Sequence, residues 1–161
     1  MTSTATLTPL VGVDLVRVQD VADSVERFGS RYLDRLFTAA EQADCAGGPG
    51  VQAERLAARF AAKEAALKVL RPEGARPAWT SIEVVRHESG ACDLRLTGTA
   101  ADLAAAAGIT ALAVSLTHEH DHAAAAVVAL RTGTGDPDDL LGDLRRAASG
   151  ALPAPPRKDQ Q

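Results

Sequence analysis

The sequence predicts an α+β fold organised on one long helix. Two observations carry this. Glu54–Leu70 is rich in Ala and Leu and free of Gly and Pro, so its local propensity is helical throughout. Short apolar or alternating runs lie on both sides of it, and two pairs of them are separated only by short polar turns, the pattern of hairpins. With 161 residues, one domain has room for a core of its own.

Composition narrows the class. The chain is 46% apolar but only 3% aromatic, because Ala supplies much of the apolar content. Such a core is small per residue, and association between copies would bury more. A net charge of −4 argues against a general nucleic-acid binder. Cys45 and Cys92 sit in no paired motif and read as free thiols in a reducing compartment. Residues 1–8 lack a basic segment and a long apolar run, so they read as a disordered leader and not a signal peptide. Nothing is long and apolar enough to span a bilayer, and a cytoplasmic protein is the expectation.

The elements follow in order. Leu10–Val16 is apolar on both faces and reads as a buried strand, with Val11, Val13 and Leu15 on one side and Gly12 and Asp14 on the other. Gln19–Phe28 places Val21, Ala22 and Val25 at helical spacing, and Gly29–Ser30 breaks it. Leu33, Leu36 and Phe37 pack inward. Thr38 and Glu41 fit a capping box. That helix ends before Gly47–Gly50, a strong breaker, and the long helix runs over roughly 51–71. Residues 72–77 are a loop. Trp79–Glu88 alternates as a strand and turns at Ser89–Gly90 into Cys92–Thr97. Thr99–Ala107 is a short helix with Gly108 in the C′ position. Leu112, Val114 and Leu116 alternate in a strand, His118–His122 is a polar turn, and Ala123–Leu130 is the last strand. Residues 132–161 read as a linker, a possible short helix with Leu140, Leu141 and Leu144 on one edge, and a Pro-rich tail. The domain is therefore expected at 9–131.

Six residues stand out chemically: Asp14, Arg59, Lys63, Glu64, Lys68 and His118. Leu56, Phe60, Leu67 and Leu70 form an apolar stripe on the long helix, and Lys63 falls inside it. An ammonium there must be paired or snorkel out. Glu64 and Lys68 sit one turn apart on the stripe's flank, beside Ala57 and Ala61, which would leave the backbone open to a ligand. Asp14 lies in an apolar strand, where a carboxylate must be paired, hydrogen-bonded or metal-bound; capping of the next helix is the structural alternative. Gly12 beside it suits close approach of a ligand. Two carboxylates from separate elements suit Mg²⁺, which fills its octahedron with water and substrate phosphates. Flanking Lys and Arg would hold the remaining phosphate oxygens. His118, His120 and His122 alternate, but the latter two read as a solvated turn.

Arg59–Lys68 resembles the signature helix of the holo-acyl-carrier-protein synthases, the small class of 4′-phosphopantetheinyl transferases. Val11–Val16 is similar to that family's first strand, Phe37–Glu41 to the segment before its long helix, and Val114–His118 with Ala123–Val128 to its closing hairpin. The similarity runs from about Leu10 to Leu130, in order. It implies a mostly antiparallel sheet with one long helix, and a homotrimer with sites between subunits. It implies transfer of 4′-phosphopantetheine from coenzyme A to a serine of an apo acyl carrier protein, with release of adenosine 3′,5′-bisphosphate. Asp14 and Glu64 fall on the Mg²⁺ ligands. Lys68 falls near the pyrophosphate, Arg59 on a coenzyme A phosphate contact, and His118 at the nucleotide end; Lys63 is grouped with these coenzyme-binding residues. Asp14, Glu64 and Lys68 form the expected catalytic set, with Glu64 or a metal-bound water as the base. Two other readings fit the scaffold: another Mg²⁺-dependent phosphoryl or nucleotidyl transferase, and a non-catalytic carrier-binding module.

Two departures stand out. The family's long helix is usually followed closely by Gly, whereas here Leu70 runs into Arg71–Pro72. Its first helix is typically basic, whereas here Asp20, Asp23 and Glu26 oppose Arg17, Arg27 and Arg31.

Overall fold

The computed structural model describes residues 6–133. The elements are β1 (Thr6–Arg17), α1 (Val18–Phe28), α2 (Ser30–Leu36), α3 (Ala39–Asp44), α4 (Pro49–Leu70), β2 (Ile82–Arg86), β3 (Cys92–Leu96), α5 (Gly98–Ala106), β4 (Ile109–Glu119) and β5 (His122–Gly133). An antiparallel sheet of order β1-β5-β4 packs one face on α4, and β2-β3 forms a separate hairpin.

Small residues let the helix lie close to the sheet. Ala57, Ala61 and Ala65 on α4 are wholly buried, as are Ala123, Ala125 and Ala129 on the inner face of β5. Ala57 and Ala61 are therefore core packing, not an opening for a ligand. The same correction applies to Gly12: a Cβ there would stand 2.1 Å from the Ala65 carbonyl oxygen. The bare backbone of Gly12 admits α4 itself, and any larger residue would push β1 off the helix.

The helix joins two apolar clusters. Its N-terminal half packs with Val21, Leu36, Phe37 and Cys45. Its C-terminal half packs with Ile82, Val84, Ala100, Val127 and Ala129. Far more than one stripe of α4 is thus enclosed, which is why Lys63 has no route to solvent.

Several boundaries differ from expectation. β1 begins at Thr6, so the expected leader loses residues 6–8 to a strand, and β5 runs on to Gly133. The two strands pair along their whole length, from Thr6↔Gly133 to Arg17↔His122, which extends both ends. The remaining expected leader and the linker, helix and tail beyond residue 133 lie outside the described residues. Trp79–Ser81 is a 3-10 turn, held where Ser81 donates through N and Oγ to the Ala78 carbonyl at 2.9 and 2.6 Å. Ser30–Leu36 is a helix of its own. The expected polar turn at 118–122 shrinks to His120–Asp121, with His118 and Glu119 already in β4. Gly108 follows the α5 cap at φ 68°, as its C′ position requires.

β1 is not buried on both faces. Val11, Val13 and Leu15 are 60%, 57% and 65% exposed, and with Val128 they leave an apolar outer face on the sheet. Among the described residues, no helix is long and apolar enough to cross a membrane.

Candidate active site

Asp14 lies on the inner face of β1, beside Gly12. Because Gly12 seats β1 on α4 at Ala65, Asp14 reaches the flank of that helix. There the Lys68 Nζ donates to Asp14 Oδ1 at 2.8 Å and to the Val13 carbonyl at 2.6 Å. Asp14 is mostly shielded, 19% exposed, while Lys68 is 49% exposed. Glu64 sits one turn before Lys68, a spacing that sets Cβ atoms about 5–6 Å apart. It is partly buried and makes no hydrogen bond or ion pair among the described residues. A carboxylate with open lone pairs thus stands one helical turn from the lysine that holds Asp14.

The donor set fits a hard cation completed by other ligands. Among the described residues, no three His, Cys, Asp or Glu gather into a cage. Asp14 and Glu64 supply oxygen alone, which suits Mg²⁺ held through one or two carboxylates with phosphate and water, and not a closed Zn²⁺ or Ca²⁺ site.

A second group lies towards the N-terminal half of α4. A cavity of about 300 Å³ is lined by Arg55, Arg59, Arg86 and His118, with Asp44 and Cys92 at its walls. Arg59 is only 4% exposed. Its Nη1 donates to the Arg55 carbonyl at 3.4 Å and its Nη2 lies 3.5 Å from Asp44, yet Nε and Nη2 have no hydrogen-bond partner. Buried guanidinium N–H groups left open beside a cavity are prepared for an anion. The His118 Nδ1 is 3.5 Å from Glu54, which holds the ring at the cavity rim. His120 pairs with Glu119 at the turn, apart from this group.

The expectation that Lys63 binds the coenzyme is overturned. Lys63 is fully buried and its three N–H groups are all used: on Glu41 Oε2 at 2.9 Å, on the Trp79 carbonyl at 3.0 Å and on the Ile82 carbonyl. Glu41 is also fully buried. It closes the capping box with Thr38 and accepts from the Val84 amide at 3.0 Å. Burial pulls the Lys63 ammonium below the usual lysine range, and Glu41 opposes that pull. The pair ties α3, α4 and the start of β2 together.

Sequence reasoning missed Arg55, Arg86 and Arg35, and counted Arg31 with the first helix although it lies on α2. Arg55 was legible, since it lies one turn before Arg59. Arg86 was not, because nothing local says where the β2-β3 hairpin docks. Arg31 and Arg35 of α2 join Phe28, Tyr32, Phe60 and Trp79 around an open groove of about 430 Å³.

Comparison with known proteins gives the family. A family model described as ACPS, 4′-phosphopantetheinyl transferase superfamily, matches residues 10–127. The chain is 51% identical over 117 residues to a holo-[acyl-carrier-protein] synthase of Chloroflexus aurantiacus, covering 65% of this chain and 85% of that one. It is 43% identical over 106 residues to the protein of the same name from Desulforudis audaxviator, covering 66% and 80%. Among solved structures, an ACPS–CoA complex from Chronobacterium ammoniagenes superposes with a TM-score of 0.68 at 32% identity, covering 78% of this chain and 98% of that one. The Helicobacter pylori holo-[acyl-carrier-protein] synthase in complex with coenzyme A superposes at 0.65 with 25% identity, covering 74% and 99%. The chain belongs to the 4′-phosphopantetheinyl transferase superfamily.

Proposed function

We propose that this protein is a holo-[acyl-carrier-protein] synthase. It transfers 4′-phosphopantetheine from coenzyme A to a serine hydroxyl of an apo acyl carrier protein and releases adenosine 3′,5′-bisphosphate. The observation that carries this reading is the Asp14–Lys68 pair one turn from an unpartnered Glu64. Related proteins bound to coenzyme A support the donor.

The reaction is an in-line displacement. The serine oxygen bonds to the phosphorus that bears pantetheine, and the bond from that phosphorus to the bridging oxygen of the adenosine 5′-phosphate breaks. The serine proton passes to Glu64, directly or through water. Asp14 and Glu64 would hold Mg²⁺, which supplies charge neutralisation for the diphosphate. Lys68, half-exposed on a flexible stem, balances Asp14 and offers its ammonium to phosphate oxygens. Arg59, with Arg55 and Arg86 beside it and His118 at the rim, receives the nucleotide's phosphate end. Catalysis of this kind rests on positioning and charge.

The carrier is placed on the groove of Phe28, Arg31, Tyr32 and Arg35, where cationic heads rim an aromatic floor suited to an acidic amphipathic helix. The basic residues missing from α1 are supplied by α2. The apolar outer face of Val11, Val13, Leu15 and Val128 supports a homotrimer, since monomers rarely expose a large contiguous apolar patch. Sedimentation velocity should give a trimeric particle for the wild type and a smaller one for Val13→Asp; a single-chain wild type would contradict the assembly.

The direct test incubates the protein with coenzyme A, Mg²⁺ and a panel of apo carriers, then measures intact mass. A carrier that gains one phosphopantetheine supports the function. No gain on any carrier would refute it.

A further inference from the structure

α4 ends in a conformation that its sequence does not favour. Arg71 caps the helix at φ 45° and ψ 58°, in the left-handed region, with its amide donating to the Leu67 carbonyl at 2.9 Å. Glycine is the usual residue at a left-handed helix end, because a Cβ there crowds the following carbonyl. Pro72 restricts the preceding residue further. An arginine at this position is therefore strained twice over. A cation near a helix C-terminus has a favourable interaction with the dipole, but that is a small surface effect, screened by salt. Stability alone does not account for the side chain.

Its position does. Arg71 follows the last residue of α4, three residues after Lys68 and seven after Glu64, so its backbone stands at the helix end next to Lys68. Lys68 itself meets Val13 and Asp14 of β1, so an arginine three residues on is within one helical turn of that contact. Arg71 is exposed, and its side chain has no hydrogen bond or ion pair among the described residues. Backbone strain of this type collects at ligand-binding positions, where binding offsets it.

We infer that Arg71, at the end of α4 just past Lys68, is an additional phosphate-binding residue that contacts the diphosphate of coenzyme A. The inference rests on the function proposed above. A guanidinium adds a forked pair of donors to those of Lys68, and it remains charged at every working pH.

The test compares wild type, Arg71→Gly and Arg71→Lys by three readouts: calorimetric titration with coenzyme A in EDTA and in Mg²⁺, steady-state kinetics on a carrier, and thermal melting without ligand. The glycine variant should bind coenzyme A about tenfold more weakly in both buffers. Its kcat/KM for coenzyme A should fall by at least as much, with the carrier KM within about twofold. Its melting temperature should rise by a few degrees, as strain is released. The lysine variant should recover part of the affinity and none of the melting gain. Unchanged coenzyme A affinity in Arg71→Gly, or a lower melting temperature, would overturn the role of Arg71 while leaving the function standing. A wild type that binds no coenzyme A would overturn the function itself.

Discussion

Two lysines on α4, five residues apart, have opposite fates. Lys63 is wholly enclosed, with every donor on a fixed acceptor and Glu41 as its counter-charge. Lys68 is half-exposed, with a carboxylate and one carbonyl as partners and an unpartnered glutamate one turn away. The first is a knot that fixes where α3 and β2 sit on α4. The second is a charge left partly free at the surface. What separates them is saturation of hydrogen bonds, not residue type or place along the helix. The contrast therefore predicts that damage on the Lys68 side appears in activity, and damage on the Lys63 side appears in stability.

The largest effect is expected on the open side. Glu64→Gln should lower transfer to a carrier by about 10²–10³-fold or more, while the thermal midpoint stays within about 2 °C. Full activity in this variant, read by intact mass, would remove Glu64 from the chemistry. On the closed side, Lys63→Met should cost about 3–5 kcal/mol in urea unfolding, because it leaves the Glu41 carboxylate buried without a counter-charge. Removing both charges, Lys63→Met with Glu41→Gln, should be less damaging than Lys63→Met alone. If Lys63→Met melted normally and failed only in coenzyme A binding, the division between the two lysines would collapse.

The cysteines repeat the contrast on a smaller scale. Burial pushes the Cys45 thiol up from 9.0 to about 11, with Arg59 pulling the other way. The folded pKa lies above the unfolded one. Its stabilising contribution is therefore complete below pH 9 and lost as pH rises through about 11. Wild type should lose about 2 kcal/mol more stability than Cys45→Ala over that interval. At neutral pH, Cys92 should react with a thiol reagent well before Cys45, since only Cys92 reaches solvent.

Much of the scaffold was legible because its signals are local. The Thr38–Glu41 capping box forms both of its hydrogen bonds, α4 fills the Gly- and Pro-free run but starts two residues earlier than expected, with Pro49 and Gly50 of the expected breaker as its first turn, and Gly108 takes the left-handed position after α5. Asp14 was legible as a residue needing a partner, and it has one in Lys68. The partner of Lys63 was not legible, because Glu41 lies 22 residues away and already had a local task as a cap. Gly12 was read as room for a ligand because the sequence does not say that α4 crosses β1 there. α2 was missed because its Leu33 and Leu36 lie among Arg and Asp in a stretch of two turns, too short for a clear period. For Lys63 and Gly12 the missing information was a long-range contact.

The proposed function requires Asp14 and Glu64 together to hold one divalent ion at the diphosphate of coenzyme A. Binding of Mn²⁺, followed by electron paramagnetic resonance in the presence of coenzyme A, tests it most directly. Wild type should bind one ion per chain, and Asp14→Asn and Glu64→Gln should each weaken that binding by about tenfold or more. Wild-type affinity for the ion in either variant would contradict the account.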